Sequence, residues 1–431
     1  MPVFSPGGAV TNPHPSPPAA PTAEGPDDAT GFALYGSRFQ REPAEVYRRI
    51  RQEHGQVAPV VLEGDAPAWL VLGYREVWQV TSNPQLFGRD SRRWHSWDRV
   101  AADWSLRPYA EHQPCSFHVE GEEHQRRAGA TGDALAAVDQ FQLRSEVERI
   151  ADGLIDEFAG RGEADLIAQY ALRLPVLVIA GLLGLPESDA PALARDIAAS
   201  ADEGEEAVRA HQRVVARMQR LVAEKREGPG DDVPSRLLAH PAGLPHDEIP
   251  TDLFLIMGAG QLTTADWLGN TLRLMLTDDR FALNLSGGRR SIGQALNEVL
   301  WEDTPTQNFV GRWATRDTEL GGRRIRKGDM VVLGLAAANT DPQVRPQTDP
   351  EALGNQAHMS FSHGEHGCPQ AAREVAEVIA ETGVEVLLDR LPDVTLAVAA
   401  DDLVWRPSVW MRGLIALPVR FTPAPVRGHA G

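Results

Sequence analysis

The spacing of apolar and polar positions divides this chain into a β-rich start, a long helical body and a second, smaller β region. Glu42 to Arg51 has the charge and spacing of a short amphipathic helix. Val57–Leu62 and Ala68–Leu72 are β-rich runs split by Glu63-Gly64-Asp65, a hairpin signal. No period holds between Asp90 and Phe117, a stretch that carries Trp94, Trp97 and Trp104. Helical spacing then dominates, over Val147–Ala159, Pro175–Leu185, Ala190–Ala201 and Glu206–Arg226.

Thr251–Thr277 predicts one long helix. Thr251 and Asp252 stand where N-caps are favoured, and Leu253, Phe254, Leu255, Ile256 and Met257 follow without a polar face. A helix apolar all round is a buried one. Gln261, Thr263, Thr264 and Asp266 interrupt the run too early for a membrane span. Ile292–Glu302 predicts a further helix that must stop near Pro305. Arg312–Leu335 alternates and turns, at Gly321-Gly322 and Lys327-Gly328-Asp329, like a small β region. After Cys368 a last helix is expected to about Leu388, with Val375, Val378, Ile379, Thr382 and Val386 along one face. The expected class is mainly α with small β regions. With no internal linker or repeat, the 431 residues read as one large body.

Composition changes this picture at the ends and in the partners it allows. Pro2, Pro6, Pro13, Pro15, Pro17, Pro18, Pro21 and Pro26 crowd the first thirty residues among Gly, Ala, Ser and Asn. No basic start precedes an apolar run, so 1–30 is expected to be a disordered leader rather than a signal peptide or anchor. Residues 422–431 read as a flexible tail, which leaves 31–421 as the folded domain. The 42 basic and 60 acidic side chains give a net charge of −18. That balance argues against a nucleic-acid partner and against anionic membrane surfaces. Cys115 and Cys368 cannot build a disulfide framework, which suits a reducing cytoplasm.

Phe361-Ser362-His363-Gly364-Glu365-His366-Gly367-Cys368 precedes the last helix directly. A thiol at a helix start meets unpaired N–H groups and the positive end of the dipole, and both favour the thiolate. Gly354, Gly364 and Gly367 allow tight turns and close backbone approach, as a loop presenting sulfur to a flat, bulky ligand requires. On these residues alone three other readings stay open. One is an inert buried cysteine. Another is a zinc site from His363, His366 and Cys368, which lacks a distant second ligand pair. The third is a Cys–His nucleophile still wanting its orienting group.

The run resembles the haem-binding loop of the cytochrome P450 family: Phe, two residues, Gly, any, His or Arg, any, Cys, any, Gly or Ala. Phe361, Gly364, His366 and Cys368 fall in register. The similarity covers most of the chain, Glu42 to Phe421, and looks closest to the soluble actinobacterial enzymes. Ala259-Gly260-Gln261-Leu262-Thr263-Thr264 lies in the long helix where the family bends it over the iron. Glu298 opens the family's Glu-x-x-Arg site, and Arg312-Trp313-Ala314-Thr315 matches the strand whose arginine binds a haem propionate. Ala338-Asn339-Thr340-Asp341-Pro342 matches its Ala-Asn-Arg-Asp-Pro turn, Glu123-His124 the helix that supplies another propionate ligand, and Arg406-Pro407-Ser408 to Arg412-Gly413 the last hairpin.

The resemblance implies a cytochrome P450 fold, a single large haem-binding body. Haem b would have its iron on Cys368, its propionates on His124, Arg312 and His366, and further contacts from Phe361, Ala259 and Gly260. A cysteinate ligand in this family pushes electron density onto the iron. Thr263 and Thr264 would be the catalytic hydroxyls, Thr263 opening the helix locally. Asn308, Phe309 and Trp410, with the Trp-rich Asp90–Phe117 stretch, would touch the substrate; core packing is the competing role for the aromatics. The implied activity is a cytoplasmic monooxygenase of secondary metabolism that oxidises a small apolar or aromatic metabolite. Electrons would come from a ferredoxin-type partner, since no reductase domain is fused. A peroxide-driven or non-oxidative haem enzyme, and a haem-containing binding or regulatory protein with little turnover, are the competing classes.

Five positions depart from the pattern. Leu262 replaces the acid before the threonine, Trp301 the arginine of Glu-x-x-Arg, and Ala128 a basic residue, with Arg127 able to reach the same face one residue early. Gln370 replaces a small residue and Ser362 a glycine. The family's further arginine upstream of the Cys loop is also missing from Leu353-Gly354-Asn355-Gln356-Ala357-His358. Replacing a whole buried ionic set can be harmless where losing one member is costly, so Trp301 is expected to be buried in a coherent substitute.

Overall fold

A computed structural model describes residues 32–104, 106–200, 205–278, 292–344 and 355–425. The expected leader, Leu353 and Gly354, and the tail beyond 425 lie outside them. The start of the tail is fastened, because Thr422 N donates to Asp393 Oδ2 at 3.0 Å.

Eleven strands are described: β1 (Phe32–Ala33), β2 (Val57–Leu62), β3 (Ala66–Val71), β4 (Phe87–Gly88), β5 (Glu163–Asp165), β6 (Phe309–Ala314), β7 (Thr318–Leu320), β8 (Arg323–Ile325), β9 (Met330–Leu333), β10 (Thr395–Leu396) and β11 (Pro418–Arg420). The main sheet runs β1-β2-β3-β9-β6-β4. The hairpin is the expected one, with Val57 opposite Val71 and Leu62 opposite Ala66, although its second strand starts two residues early. Gly64 has φ +75° and Asp65 φ +55°, the left-handed geometry a tight turn needs. Trp94, Trp97 and Trp104 pack on one another beside this sheet. Trp94 and Trp104 belong to its buried core, the competing role that the sequence left open.

The helical body forms the larger core. Its centre is the helix Ile249–Thr277, flanked by Arg173–Leu182, Glu205–Glu227, Ile292–Glu302 and Gln370–Arg390, with Gln140–Asp156 packed on Gln370–Arg390 and Arg173–Leu182. The central helix starts two residues before the expected caps, at Ile249, with Pro250 in its first turn. Asp252 does not cap it. Its carboxylate is buried and takes Ser116 N–H and the guanidinium of Arg127, each at 2.8 Å. Arg127 is therefore spent tying the helix Gly121–Ala136 to the central helix, and does not stand in for the basic residue missing at Ala128. The helix expected from Val147 begins at Gln140, because Asp139 caps it through Phe141 N and Gln142 N.

Candidate functional site

The loop that carries Cys368 is set by its own backbone bonds. Ser362 N–H donates to Met359 O at 2.7 Å, Gly367 N–H to Gly364 O at 2.9 Å and Cys368 N–H to Phe361 O at 2.9 Å. Gly364 has φ +76°, and a Cβ there would lie 2.2 Å from Thr81 O, so this turn is open only to glycine. Ser362 holds φ +58° with a side chain, and its buried Oγ has no hydrogen-bond partner. Left-handed backbone costs a non-glycine residue about 1–2 kcal/mol. Ser362→Gly is therefore expected to stabilise the protein by about 1 kcal/mol, seen as a raised urea midpoint at unchanged slope. A lowered midpoint would show that the hydroxyl holds the loop.

Cys368 is half-buried and its sulfur lies 3.8 Å from Pro369 O. Burial, not the helix start, dominates the thiol and pushes it up to about 11, with Arg373 pulling the other way. A coordinating metal ion would reverse this by removing the proton outright. His363 turns away from the sulfur and stacks on Trp78, ring centroids 3.6 Å apart. Among the described residues, no three His, Cys, Asp or Glu side chains converge as a metal site.

Basic side chains from four other stretches gather around His366. Arg312, on β6, and Arg89, just after β4, are both buried. Arg89 reaches Gly311 O at 2.6 Å, Val310 O at 3.1 Å and Phe117 O at 2.7 Å, with its guanidinium 3.6 Å from the Phe117 ring centroid. Gly311 permits this: its φ is +106° and a Cβ would lie 2.4 Å from Arg89 Nη1. His124 places Nδ1 2.7 Å from Ser116 O and Nε2 2.9 Å from Glu365 O. Its ring lies 3.7 Å from that of His366.

Burial, and then the charges of Arg89, His124, Arg312 and His118, hold His366 far below the ordinary histidine range. Burial and then Arg89 take His118 down to about 3. Burial lowers Arg312 to about 10, opposed by Glu365 and Glu120. Arg89 is pushed well down by burial and then by Arg312. Arg89 Nη2, His118 Nε2 and both ring nitrogens of His366 have no hydrogen-bond partner. Glu365 Oε1 approaches His366 Nε2 at 3.4 Å, outside hydrogen-bonding geometry. Buried cations that repel each other, with unused donors, form a donor set short of anions. Two carboxylates on one flat ligand beside Cys368 would complete it, so the residues present fit a haem.

The other expected residues are more scattered. Ala259 is exposed, and Leu262 and Thr263 are partly exposed, ahead of the buried run Thr264–Leu272 of the central helix. Gly260 points elsewhere, since a Cβ there would meet Ile179 Cδ1 at 2.8 Å. Thr263 Oγ1 donates to Ala259 O at 2.5 Å, back-bonding within a helix that runs on continuously rather than opening. Thr264 is buried and lines a small cavity together with Gly260, Ala372, Ala376 and Ile379. Phe361 meets Trp267 edge-on at 5.8 Å. Asn308 is buried and donates to Val409 O at 2.8 Å, while Gln307 N donates to Trp410 O at 2.9 Å. Asn308 and Trp410 thus hold the last hairpin in place, while Phe309 packs edge-on against Phe117 at 5.3 Å.

Arg89 and His118 were missed in the sequence. Both lie in segments without helical period, and the available signal was a basic residue beside buried apolar ones (Leu86-Phe87-Gly88) in an acidic chain.

The fold and this basic ring beside a cysteine loop define a helical haem-binding protein. No family model matches the chain. Cytochrome P450 107B1 of Saccharopolyspora erythraea is 31% identical over 408 residues, covering 93% of this chain and 99% of that protein. The cytochrome P450 monooxygenase PikC of Streptomyces venezuelae is 30% identical over 404 residues, covering 90% and 92%. Among solved structures, CYP154C4 from Streptomyces sp. ATCC 11861 superposes with a TM-score of 0.82 at 26% identity, over 92% of this chain and 99% of that one. The chain belongs to the cytochrome P450 family, the haem-thiolate monooxygenases. No described helix is long and apolar enough to cross a membrane.

Proposed function

We propose that this chain oxidises a small apolar or aromatic metabolite in secondary metabolism, with haem b on Cys368 and electrons from a separate ferredoxin-type donor in the cytoplasm. The observation that carries the reading is the ring of Arg89, His118, Arg312 and His366, buried and short of anions, beside the Cys368 loop. Arg312 and Arg89 would neutralise carboxylates as charged donors, and His118 and His366, held neutral by burial, would add hydrogen bonds beside His124. When bound, the haem supplies the oxygen chemistry, and the protein supplies orientation and electrostatics. Relatives called Polyketide biosynthesis cytochrome P450 PksS and Vitamin D(3) 25-hydroxylase support a small-molecule substrate, and the solved structure of P450BioI holds that protein in complex with an acyl carrier protein. Phe309 and the exposed Ala259 are the substrate-facing candidates that the packing leaves available; Asn308 and Trp410 would act by fixing the hairpin.

Proton handling is the weak link. Thr263 can hold a proton at Oγ1, but Leu262 one residue before it cannot pass one on. Gln261 is engaged elsewhere, its Nε2 donating to Leu172 O at 3.2 Å. General acid–base assistance is worth roughly a hundred- to ten-thousand-fold in rate, so its loss should show as slow, poorly coupled turnover. The test is product formed per reduced nicotinamide consumed, with a generic ferredoxin and reductase. Leu262→Asp is expected to raise the ratio and Thr263→Ala to leave it nearly unchanged. A parent already tightly coupled, and crippled by Thr263→Ala, would sink the half-relay. Product with hydrogen peroxide alone would favour the peroxide-driven reading, which the missing acid specifically invites. No product on either route would favour a binding or regulatory role.

A further inference from the structure

The sulfur of a cysteine just ahead of a helix normally meets the first free N–H groups of that helix. In Cys368-Pro369-Gln370 the first of these is gone, because proline has no N–H. The contact recorded for the sulfur is with an acceptor, Pro369 O. One turn further on, Arg373 folds back over the loop. Its Nε donates to Cys368 O at 2.9 Å, and its guanidinium stands 5.2 Å from the centroid of Phe361, whose carbonyl takes the Cys368 N–H. The guanidinium is thus anchored on the backbone of the cysteine itself, and its charge opposes the effect of burial on the thiol. No ion pair with a described carboxylate draws it away, although Glu377 is within electrostatic reach one turn on.

We propose that Arg373 is a positioning and charge-tuning residue for Cys368, a cation fixed on the backbone of the cysteine whose sulfur has lost its first backbone donor to Pro369. The inference rests on Cys368 being the axial ligand. A cation fixed beside the sulfur draws electron density from it, so the iron would be easier to reduce and the electron push weaker. A merely structural Arg373, capping Cys368 O and covering Phe361, would change stability and leave the potential alone.

The experiment uses the haem-loaded full chain and reads the one-electron reduction potential by spectroelectrochemical titration, with the Soret position of the reduced carbonyl complex as a second readout. Arg373→Leu is expected to disfavour reduction about tenfold, a fall of ~59 mV for one electron. Arg373→Lys should keep most of the parent potential, because the charge stays. Pro369→Ala added to Arg373→Leu should recover part of the loss by restoring an N–H. If Arg373→Leu does not fold, Arg373→Gln against Arg373→Lys makes the same comparison. A potential that does not move on loss of the charge, or moves equally in Arg373→Lys, overturns the proposal alone. A parent without the thiolate band overturns it together with the assignment of Cys368.

Discussion

Cys368→Ala is expected to lose the far-red-shifted Soret band of the reduced carbonyl complex and nearly all bound haem, whereas Cys115→Ala keeps both. The chain has two cysteines, and their surroundings differ in kind. Cys115 is buried, its sulfur 3.6 Å from His118 Nδ1, and burial raises its thiol. Its neighbourhood belongs to the basic ring rather than to a loop that opens on a ligand. Cys368 follows the left-handed residues Ser362 and Gly364 and is half-buried, while Ala259 is exposed and Thr263 partly exposed on the central helix. The donor set short of anions is satisfied by a dianionic ligand in either variant, so residual weak haem binding in Cys368→Ala is expected, but without the thiolate signature. Absorption spectra of both variants, with haem counted per protein, decide it. A Cys115→Ala protein without the band would reverse the assignment.

What the sequence showed followed from periodicity, and what it hid followed from contacts across the chain. Ile292–Glu302 coincides with its helix because an apolar stripe and the Pro305 stop both act locally. The start of the central helix was misplaced because Asp252 has the composition of a cap but is drawn inward by Arg127, 125 positions away. The Cys loop was legible since its glycines and cysteine lie within eight residues. The basic ring was half legible. His124, Arg312 and His366 carry a pattern; Arg89 and His118 are defined only by the Gly311 bulge and the irregular stretch that bring them in. The chemistry at Arg373 was invisible for a similar reason: a helical arginine reads as a solvated face until its guanidinium is seen folded over Phe361.

Trp301→Arg, which restores the family's Glu-x-x-Arg, is expected to destabilise the protein by several kcal/mol and to lower its haem content. Trp301 is 4% exposed. Its Nε1–H donates to Asn355 O at 2.8 Å, beside Asn297 Nδ2 on the same carbonyl at 3.2 Å, in the segment where the family keeps its further arginine. Its ring meets His358 edge-on at 5.9 Å; His358 lies 5.8 Å from Phe361, and Phe361 packs on Trp267. Trp301, His358, Phe361 and Trp267 thus form a continuous chain of aromatic contacts. Burial and the charge of Arg373 hold His358 down to about 4, so it stays neutral and offers no countercharge. A guanidinium at 301 would lie on the same helix face as Glu298, three residues back and buried. It would nonetheless bring several donors to a carbonyl that already takes the N–H groups of Trp301 and Asn297, and vacate an indole's volume. A buried charge with an incomplete partner set costs about 3–5 kcal/mol, and the lost volume adds to it. Trp301→Phe is the control: it keeps the aromatic contact and loses the bond to Asn355 O, about 1 kcal/mol. Urea unfolding with haem counted at each step separates the two variants. If Trp301→Arg melted higher than the parent with full haem, the aromatic chain would be a tolerated defect in a site still shaped for arginine, and the coherent replacement would have to be given up.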